Sequence, residues 1–436
     1  MNPIIQRAWG ERARRATEVH RQFLDTRQEA LQQLASLIQG QIGTYQPGAA
    51  VPQPALERPA LFDLGHLQEF ATGSLAQCLG SDYAIYEGRR APRIPNGDLL
   101  LMSRVVAIDG ERHHPERPAS IAVEYDVSPD AWYVRHNAYP QIPYSVYMEI
   151  ALQPCGFLSA YLGTPLLSPQ DDFYFRNLDG KGRLLGKPDV RGGVITTRAR
   201  LLSTHSSGGT ILQKFAFDLS VAGQPLYEGE SVFGYFKPEA MANQLGLDGG
   251  RTSLPLYEGQ PGEVHGEWID LGSAENGFFR SDPLRPYERL SGGQLNLLDR
   301  VLVSEQGGEH QQGYLYGYKR IDPQDWFFGC HFYQDPVMPG SLGVEAILQA
   351  LQVYALKTGL GRSFRSPHFG LPLDRWLEWK YRGQIIPAHA MMKIEVHLRG
   401  VERAASQVIL HADASLWADH MRIYEVKDAA ISLQEG

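Results

Sequence analysis

A histidine, a glycine and a glutamate in the second half of the chain have types and spacing that could support acid–base chemistry. Pro336 and Pro339 prevent a helix from starting before Gly340, and apolar residues then recur at helical spacing. Gly340 and Glu345 therefore fall near the first turn of a predicted helix, with His331 just upstream. First-turn N–H groups lack partners within the helix and carry the positive end of its dipole, so they can polarise a carbonyl oxygen. The segment thus offers a candidate base, an oxyanion site and a candidate acid.

Each of these residues also has a structural interpretation, because a histidine in an aromatic loop often packs or caps and a first-turn glutamate complements the helix dipole. The whole string is more specific than its parts: His331-Phe-Tyr-Gln-Asp-Pro-Val-Met-Pro-Gly340-Ser-Leu-Gly-Val-Glu345. It resembles the active-site signature of the bifunctional β-hydroxyacyl-acyl-carrier-protein dehydratase/isomerase family of hot-dog enzymes. The resemblance implies that His331 is the catalytic base, that Glu345 stands at the partner carboxylate position, and that Gly340 presents an N–H to the thioester oxygen. The family usually has Asp where this chain has Glu345, which leaves isomerase activity open.

An internal repeat organises the rest of the chain. Similar segments recur at an offset of 194 to 196 residues, pairing 99–106 with 295–302, 127–132 with 321–326, and 143–153 with 339–349. Two copies of one domain are therefore predicted.

The same coarse pattern is predicted in both copies: a short helix, a strand or hairpin, the loop with histidine, a long apolar helix, and three or four alternating strands. A helix embedded in a mostly antiparallel sheet is the arrangement called a hot-dog fold, which the family resemblance implies. The predicted fold class is therefore α+β, a double hot-dog with an N-terminal helix. The predicted domains are 1–59, an amphipathic helix over 13–39 and a Pro-rich linker; 60–240, the first hot-dog; 241–279, a connection; and 280–436, the second hot-dog.

The first copy is more divergent from the dehydratase/isomerase family. Through stretches such as 148–163, and with the helix and linker before it, the chain is similar to the tandem dehydratase region of bacterial polyunsaturated fatty acid synthases and related polyketide-like megasynthases. This resemblance implies that each site takes histidine from one hot-dog and carboxylate from the other.

On that basis His331 would face Glu149, and Glu345 would face His136. His136 precedes Glu149 by 13 residues, against 14 between His331 and Glu345, and Tyr144 stands where the second copy has glycine. A bulky residue there could block the close approach of a thioester carbonyl. His136 is therefore either catalytic or a structural residue of a degenerate copy.

The resemblance implies a hydro-lyase that dehydrates β-hydroxyacyl thioesters to trans-2-enoyl thioesters in fatty acid or polyketide synthesis, with or without trans/cis isomerisation. A base, an oxyanion site and an acid suffice for this reaction, so we expect no cofactor and no metal. The acyl chain would be carried on the phosphopantetheine of an acyl carrier protein, with other synthase domains or subunits as partners.

Two alternatives stay open. One is a hot-dog acyl thioesterase, which also places a carboxylate on the central helix, although the intact loop from His331 to Gly340 argues against it. The other is a partly non-catalytic double hot-dog that holds acyl chains or scaffolds a synthase.

Composition excludes several other classes of protein. The chain has 436 residues, 43% hydrophobic and 21% charged, with a net charge of −8 that argues against a nucleic-acid binder. Three widely spaced cysteines indicate neither a disulfide framework nor a zinc site and fit a reducing cytoplasm. No apolar run reaches membrane-spanning length. We therefore expect a cytoplasmic protein with no membrane contact, and an intrachain pseudo-dimer that could also homodimerise.

Overall fold

One antiparallel sheet of 14 strands runs through the part of the chain that the computed structural model describes, residues 60–273 and 276–435. Thirteen strands follow one another in the order β1-β2-β4-β5-β6-β3-β11-β14-β13-β12-β9-β8-β7, and β10 pairs with β14 off this path. The predicted N-terminal helix and Pro-rich linker, residues 1–59, lie outside the described residues.

The strands are β1 Arg104–Asp109, β2 Ala119–Asp126, β3 Tyr174–Leu184, β4 Val194–Ser207, β5 Thr210–Val221, β6 Gln224–Phe236, β7 Glu267–Asp270, β8 Arg300–Ser304, β9 Tyr314–Arg320, β10 Pro367–Gly370, β11 Leu377–Tyr381, β12 Met391–Arg403, β13 Gln407–Ala418 and β14 Met421–Glu435. The helices are α1 Leu64–Ala71, α2 Leu75–Leu79, α3 Trp132–Arg135, α4 Tyr144–Tyr161, α5 Pro238–Ala242, α6 Leu256–Gly259 and α7 Gly340–Thr358. Short 3₁₀ turns connect several of them.

Two long helices form the centres of the two copies. Helix α4 packs against β2, β4, β5 and β6, and helix α7 packs against β8, β9, β12, β13 and β14. Pro143 and Pro339 directly precede the two helices, which is why both start where the repeat predicts. Most residues of both helices are buried, since the sheet curves around them. The predicted α+β double hot-dog is confirmed.

The two copies join side by side within the single chain. Strand β3 of the first copy pairs with β11 of the second, from Leu377 opposite Gly182 to Lys380 opposite Asp179. The two central helices also contact each other. Trp132 and Trp326, which occupy the same place in the repeat, pack against each other with ring centroids 4.9 Å apart. Homodimerisation of the whole chain stays a prediction.

The segment predicted as a connection, residues 241–279, does more than link the copies. It contains α6 and contributes β7 to the sheet, where β7 pairs with β8 at the edge. The boundaries of the four predicted domains stay predictions. None of the helices in the described residues is long and apolar enough to cross a membrane.

Candidate active site

The loop that carries His331 is held by backbone hydrogen bonds on both sides. The backbone N–H of His331 donates to the carbonyl of Phe327 at 2.9 Å, and the backbone N–H of Val337 donates to the carbonyl of His331 at 2.7 Å. Met338 N–H donates to the carbonyl of Ile385 at 2.9 Å, which anchors the loop just before helix α7 begins. The loop therefore has a defined path into the first turn of that helix.

The hydrogen bonding of the His331 ring makes it a base. Its Nδ1 lies 3.0 Å from the carbonyl oxygen of Val337. A carbonyl oxygen only accepts, so Nδ1 carries the proton and Nε2 keeps a free lone pair. The side chain is 9% exposed, and this burial lowers the pKa of His331 to about 3. The ring is therefore neutral at physiological pH and can accept a proton.

Gly340 is the first residue of α7, where the N–H has no acceptor within the helix. The position also excludes a side chain: a Cβ built there would lie 2.6 Å from a ring carbon of Tyr381. The glycine thus lets the Tyr381 ring pack against the helix start. It also leaves the N–H end of the helix accessible to a close-approaching group.

Glu149 reaches the start of α7 from the other copy. It lies on α4, and its Oε1 accepts a hydrogen bond of 2.7 Å from the hydroxyl of Ser341, the residue after Gly340. Its other oxygen accepts a 3.3 Å bond from the amide of Gln153. The side chain is 7% exposed, and burial raises the pKa of Glu149. A carboxyl in this state can act as an acid.

Glu345 makes the reciprocal contact at the start of α4. Its Oε2 accepts a 3.0 Å hydrogen bond from the backbone N–H of Ser145, and burial raises the pKa of Glu345. Each glutamate therefore reaches the first turn of the other copy's helix. The structure brings Glu149 to the helix that follows the His331 loop, while Glu345 lies with the first copy's helix start.

His136 occupies a different place from the one expected. Its carbonyl accepts a 2.9 Å bond from Gly292 N–H, just as the carbonyl of Cys330 accepts a 2.8 Å bond from Asn96 N–H. Its ring lies against Gly293 and accepts a 3.3 Å bond from the N–H of Gln294. His136 is thus the counterpart of Cys330, and among the described residues it makes no hydrogen bond or ion pair with Glu345. The expected pairing with Glu345 and a catalytic role for His136 both stay predictions.

Asn137 takes the place of the second copy's histidine. Its Nδ2 donates a 2.9 Å hydrogen bond to the carbonyl of Gln141, which matches the bond from His331 to the Val337 carbonyl. Its Oδ1 accepts a 2.8 Å bond from the hydroxyl of Ser291. An amide cannot take up a proton at physiological pH. The first copy therefore has an asparagine where the second has a histidine that can accept a proton.

Arg176 links the first copy to the His331 loop. It lies on β3 and forms two parallel hydrogen bonds of 2.7 Å to the carboxylate of Asp335, with side-chain exposures of 11% and 13%. Its Nε also donates to the side chain of Gln384. Bidentate pairing fixes both distance and orientation, so the first copy helps to hold the loop in place.

A comparison with known protein families finds a match in the second copy. A family model described as "FabA-like domain" matches residues 290–427, a range that contains His331, Gly340 and Glu345. These residues are therefore similar to a FabA-like domain. The match confirms the predicted resemblance, and it supports a dehydratase role and gives the thioesterase alternative less support.

One curated relative extends the likeness over most of the chain. It is a subunit of the polyunsaturated fatty acid synthase from Thraustochytrium sp. (strain ATCC 26185 / S-3), 34% identical over 394 residues, which are 85% of this chain and 26% of that protein. The chain thus spans about a quarter of the relative's length. The aligned part includes both copies of the repeat, since it exceeds either copy alone.

Solved structures with similar architecture include dehydratases and a thioesterase. The dehydratase domain from the CurJ module of curacin polyketide synthase has a TM-score of 0.40 and 11% identity, covering 78% of this chain and 98% of that one. A GphF DH1 variant has a TM-score of 0.41 and 13% identity over 77% and 96%. An oleoyl thioesterase from Lactobacillus plantarum has a TM-score of 0.39 and 10% identity over 72% and 95%. These similarities are too distant to assign a role to any residue.

Sequence reasoning missed Ser341, Asn137, Arg176 and Tyr381. The repeat could have indicated two of them. Ser341 occupies the same repeat position as Ser145, and the offset of 194 residues that relates Trp326 to Trp132 also relates His331 to Asn137. Arg176 reaches the site from a strand of the first copy and Tyr381 from the end of β11 in the second, and the strand pairing that places them leaves no trace in local spacing.

Proposed function

We propose that the chain dehydrates β-hydroxyacyl thioesters at one composite site, with His331 and Gly340 from the second copy and Glu149 from the first. The observation that carries this proposal is the 2.7 Å hydrogen bond from Ser341 to Glu149. It sets a buried carboxyl of raised pKa beside the first turn of α7, which follows the loop of a neutral, buried histidine.

The proposed reaction begins at the substrate Cα. His331 Nε2 removes the Cα proton, and the electron pair moves toward the thioester oxygen, where the Gly340 N–H and the helix dipole stabilise the developing charge. Glu149 gives its proton to the departing β-hydroxyl as the Cβ–O bond breaks. The products are water and an enoyl thioester with a new Cα–Cβ double bond. The proton on His331 returns to Glu149 through solvent or through the released water.

We further propose that the substrate arrives on the phosphopantetheine of an acyl carrier protein within a synthase. The similarity to a subunit of a polyunsaturated fatty acid synthase supports this setting. A base, an acid and an oxyanion site complete the reaction, so the proposal includes no cofactor or metal. The role of Glu345 is then to support the first copy's helix start through Ser145, and trans/cis isomerisation is an additional activity to be measured.

The test is direct incubation of the purified full chain with a β-hydroxyacyl pantetheine thioester. Enoyl product is followed by its ultraviolet absorbance and free thiol by a thiol reagent in the same sample. Dehydration without thiol release is expected. Release of thiol would instead identify a thioesterase, and neither product at any substrate length would support the non-catalytic alternative.

A further inference from the structure

The hydroxyl of Tyr381 is a buried hydrogen-bonding group without a protein partner among the described residues. The residue ends strand β11 and is 5% exposed. Buried hydroxyls nearly always have a partner, because leaving one unpaired costs free energy. An unpaired hydroxyl next to a candidate active site therefore suggests a ligand as its partner.

The surroundings of Tyr381 place it at the start of α7. Its ring packs so closely on Gly340 that a Cβ there would lie 2.6 to 3.2 Å from three ring carbons. It packs against Tyr424 with ring centroids 4.2 Å apart and ring planes tilted by 40°, which restricts the ring. Burial raises the pKa of Tyr381, with smaller contributions from Tyr424 and from the carboxyl of Glu149. The phenol thus stays protonated, as a donor, and Glu149 is close enough to affect it.

The first copy lacks this donor. Tyr381 pairs with Tyr424 across β11 and β14, and the corresponding pair across β3 and β6 is Leu184 with Tyr227. The first copy does bury a phenol at its own helix start, Tyr144, but that hydroxyl donates to the carbonyl of Gly182 at 2.9 Å. Only the second copy combines a free phenol with the base and the glycine.

We propose that the Tyr381 hydroxyl is a catalytic residue that donates a hydrogen bond to the β-oxygen of the substrate, beside Glu149. The inference rests on the proposed dehydratase function. The Gly340 N–H already serves the thioester oxygen in that mechanism, whereas the β-oxygen gains negative charge as its bond to Cβ lengthens. A fixed neutral donor stabilises that charge without transferring its proton. The proton for the departing hydroxyl still comes from Glu149, so the balance of the reaction is unchanged.

The first measurement compares Tyr381→Phe with Tyr144→Phe in the full chain. Tyr381→Phe keeps the ring that packs on Gly340 and removes only the hydroxyl, so we expect kcat for dehydration to fall roughly 10- to 100-fold. Tyr144→Phe removes a buried hydroxyl at the matching helix start and should leave kcat within about 2-fold. Thermal unfolding of both variants shows whether they are folded. Equal kcat for the wild type and Tyr381→Phe would overturn the inference.

The second measurement identifies the oxygen that is bound. In a His331→Ala background, which prevents turnover, Kd is measured for a β-hydroxyacyl pantetheine thioester and for the saturated acyl thioester without the hydroxyl. Adding Tyr381→Phe should weaken binding of the first ligand about 10-fold and leave the second unchanged. Equal weakening of both ligands, or of neither, would overturn the assignment to the β-oxygen. A wild-type chain that dehydrates nothing would instead overturn the proposed function itself.

Discussion

The starts of the two central helices are built on the same backbone plan but carry different chemistry. Before α7 stands His331, and at its first position stands Gly340. Before α4 the matching residues are Asn137 and Tyr144, and the side-chain bond to the loop carbonyl is kept with an amide instead of an imidazole. The comparison teaches that two copies can share fold and hydrogen-bond geometry although only one of them carries a proton-accepting side chain at the matching position.

The two glutamates differ less than the loops do. Glu149 and Glu345 each reach a serine in the first turn of the opposite helix, and burial raises the pKa of both carboxyls. Glu149 reaches the helix whose preceding loop carries His331, whereas the loop before the helix that Glu345 reaches carries Asn137 at the matching position. Chemical asymmetry therefore comes from what faces each carboxyl, since the carboxyls themselves are nearly equivalent.

The largest expected effect separates the two loops. His331→Ala should lower kcat/KM for dehydration by roughly 10²- to 10⁴-fold, because it removes the base at Cα. Asn137→Ala, at the matching position of the first copy, should change it by less than about 3-fold. Initial rates on a β-hydroxyacyl thioester give both values. Comparable losses in the two variants would show that both loops act in catalysis.

A smaller effect is expected where the first copy holds the second copy's loop. Arg176→Met should lower kcat/KM by about 10-fold, since it leaves Asp335 without its bidentate partner. Removing the positive charge also raises the pKa of His331, so the acid limb of the pH–rate profile should move to higher pH.

Arg183→Met provides the control for that change. Arg183 lies on the same strand and pairs with Glu228 inside the first copy, at 2.6 and 2.8 Å. It should leave both the rate and the acid limb unchanged. If Arg183→Met shifts the limb as far as Arg176→Met does, the effect belongs to strand β3 in general and the positioning role of Arg176 is wrong.

The smallest expected effect concerns stability. Glu149 has a folded-state pKa above its unfolded value, so the wild type loses stability as pH rises through that folded pKa. Glu149→Gln cannot ionise, so it should gain stability relative to the wild type between about pH 4, below the ordinary glutamate pKa of 4.5, and about pH 8, by up to about 1.4 kcal/mol for each unit by which folding raises the pKa. Urea unfolding at the two pH values measures the difference. A difference in the free energy of unfolding between the two proteins that does not change with pH would contradict a raised pKa of Glu149.

Much of this arrangement could be predicted from the sequence. The repeat predicted two hot-dogs, because equal spacing of prolines, tryptophans and glutamates requires equal local structure. The family resemblance implied that Glu149 approaches the second copy. His136 lies one residue before the position that matches His331. The loop before α4 is two residues shorter, from 137 to 144 against 331 to 340, so a count back from the helix does not find the matching residue.

Other parts of the site could not be predicted, for a physical reason. Arg176 reaches Asp335 from β3 of the first copy, which pairs with β11, and Tyr381 reaches Gly340 from the end of β11, which pairs with β14. A slip of one residue in the register of either strand would turn its side chains to the opposite face. Register across two distant strands depends on packing of the whole core. Local periodicity carries no information about it.

The most direct measurement compares two isosteric changes, Glu149→Gln and Glu345→Gln, in the purified full chain. If His331 works with the carboxyl of the other copy, Glu149→Gln should lower kcat/KM for dehydration by roughly 10²- to 10⁴-fold, whereas Glu345→Gln should lower it only a few-fold. A large loss in Glu345→Gln with near-normal activity in Glu149→Gln would contradict the composite site.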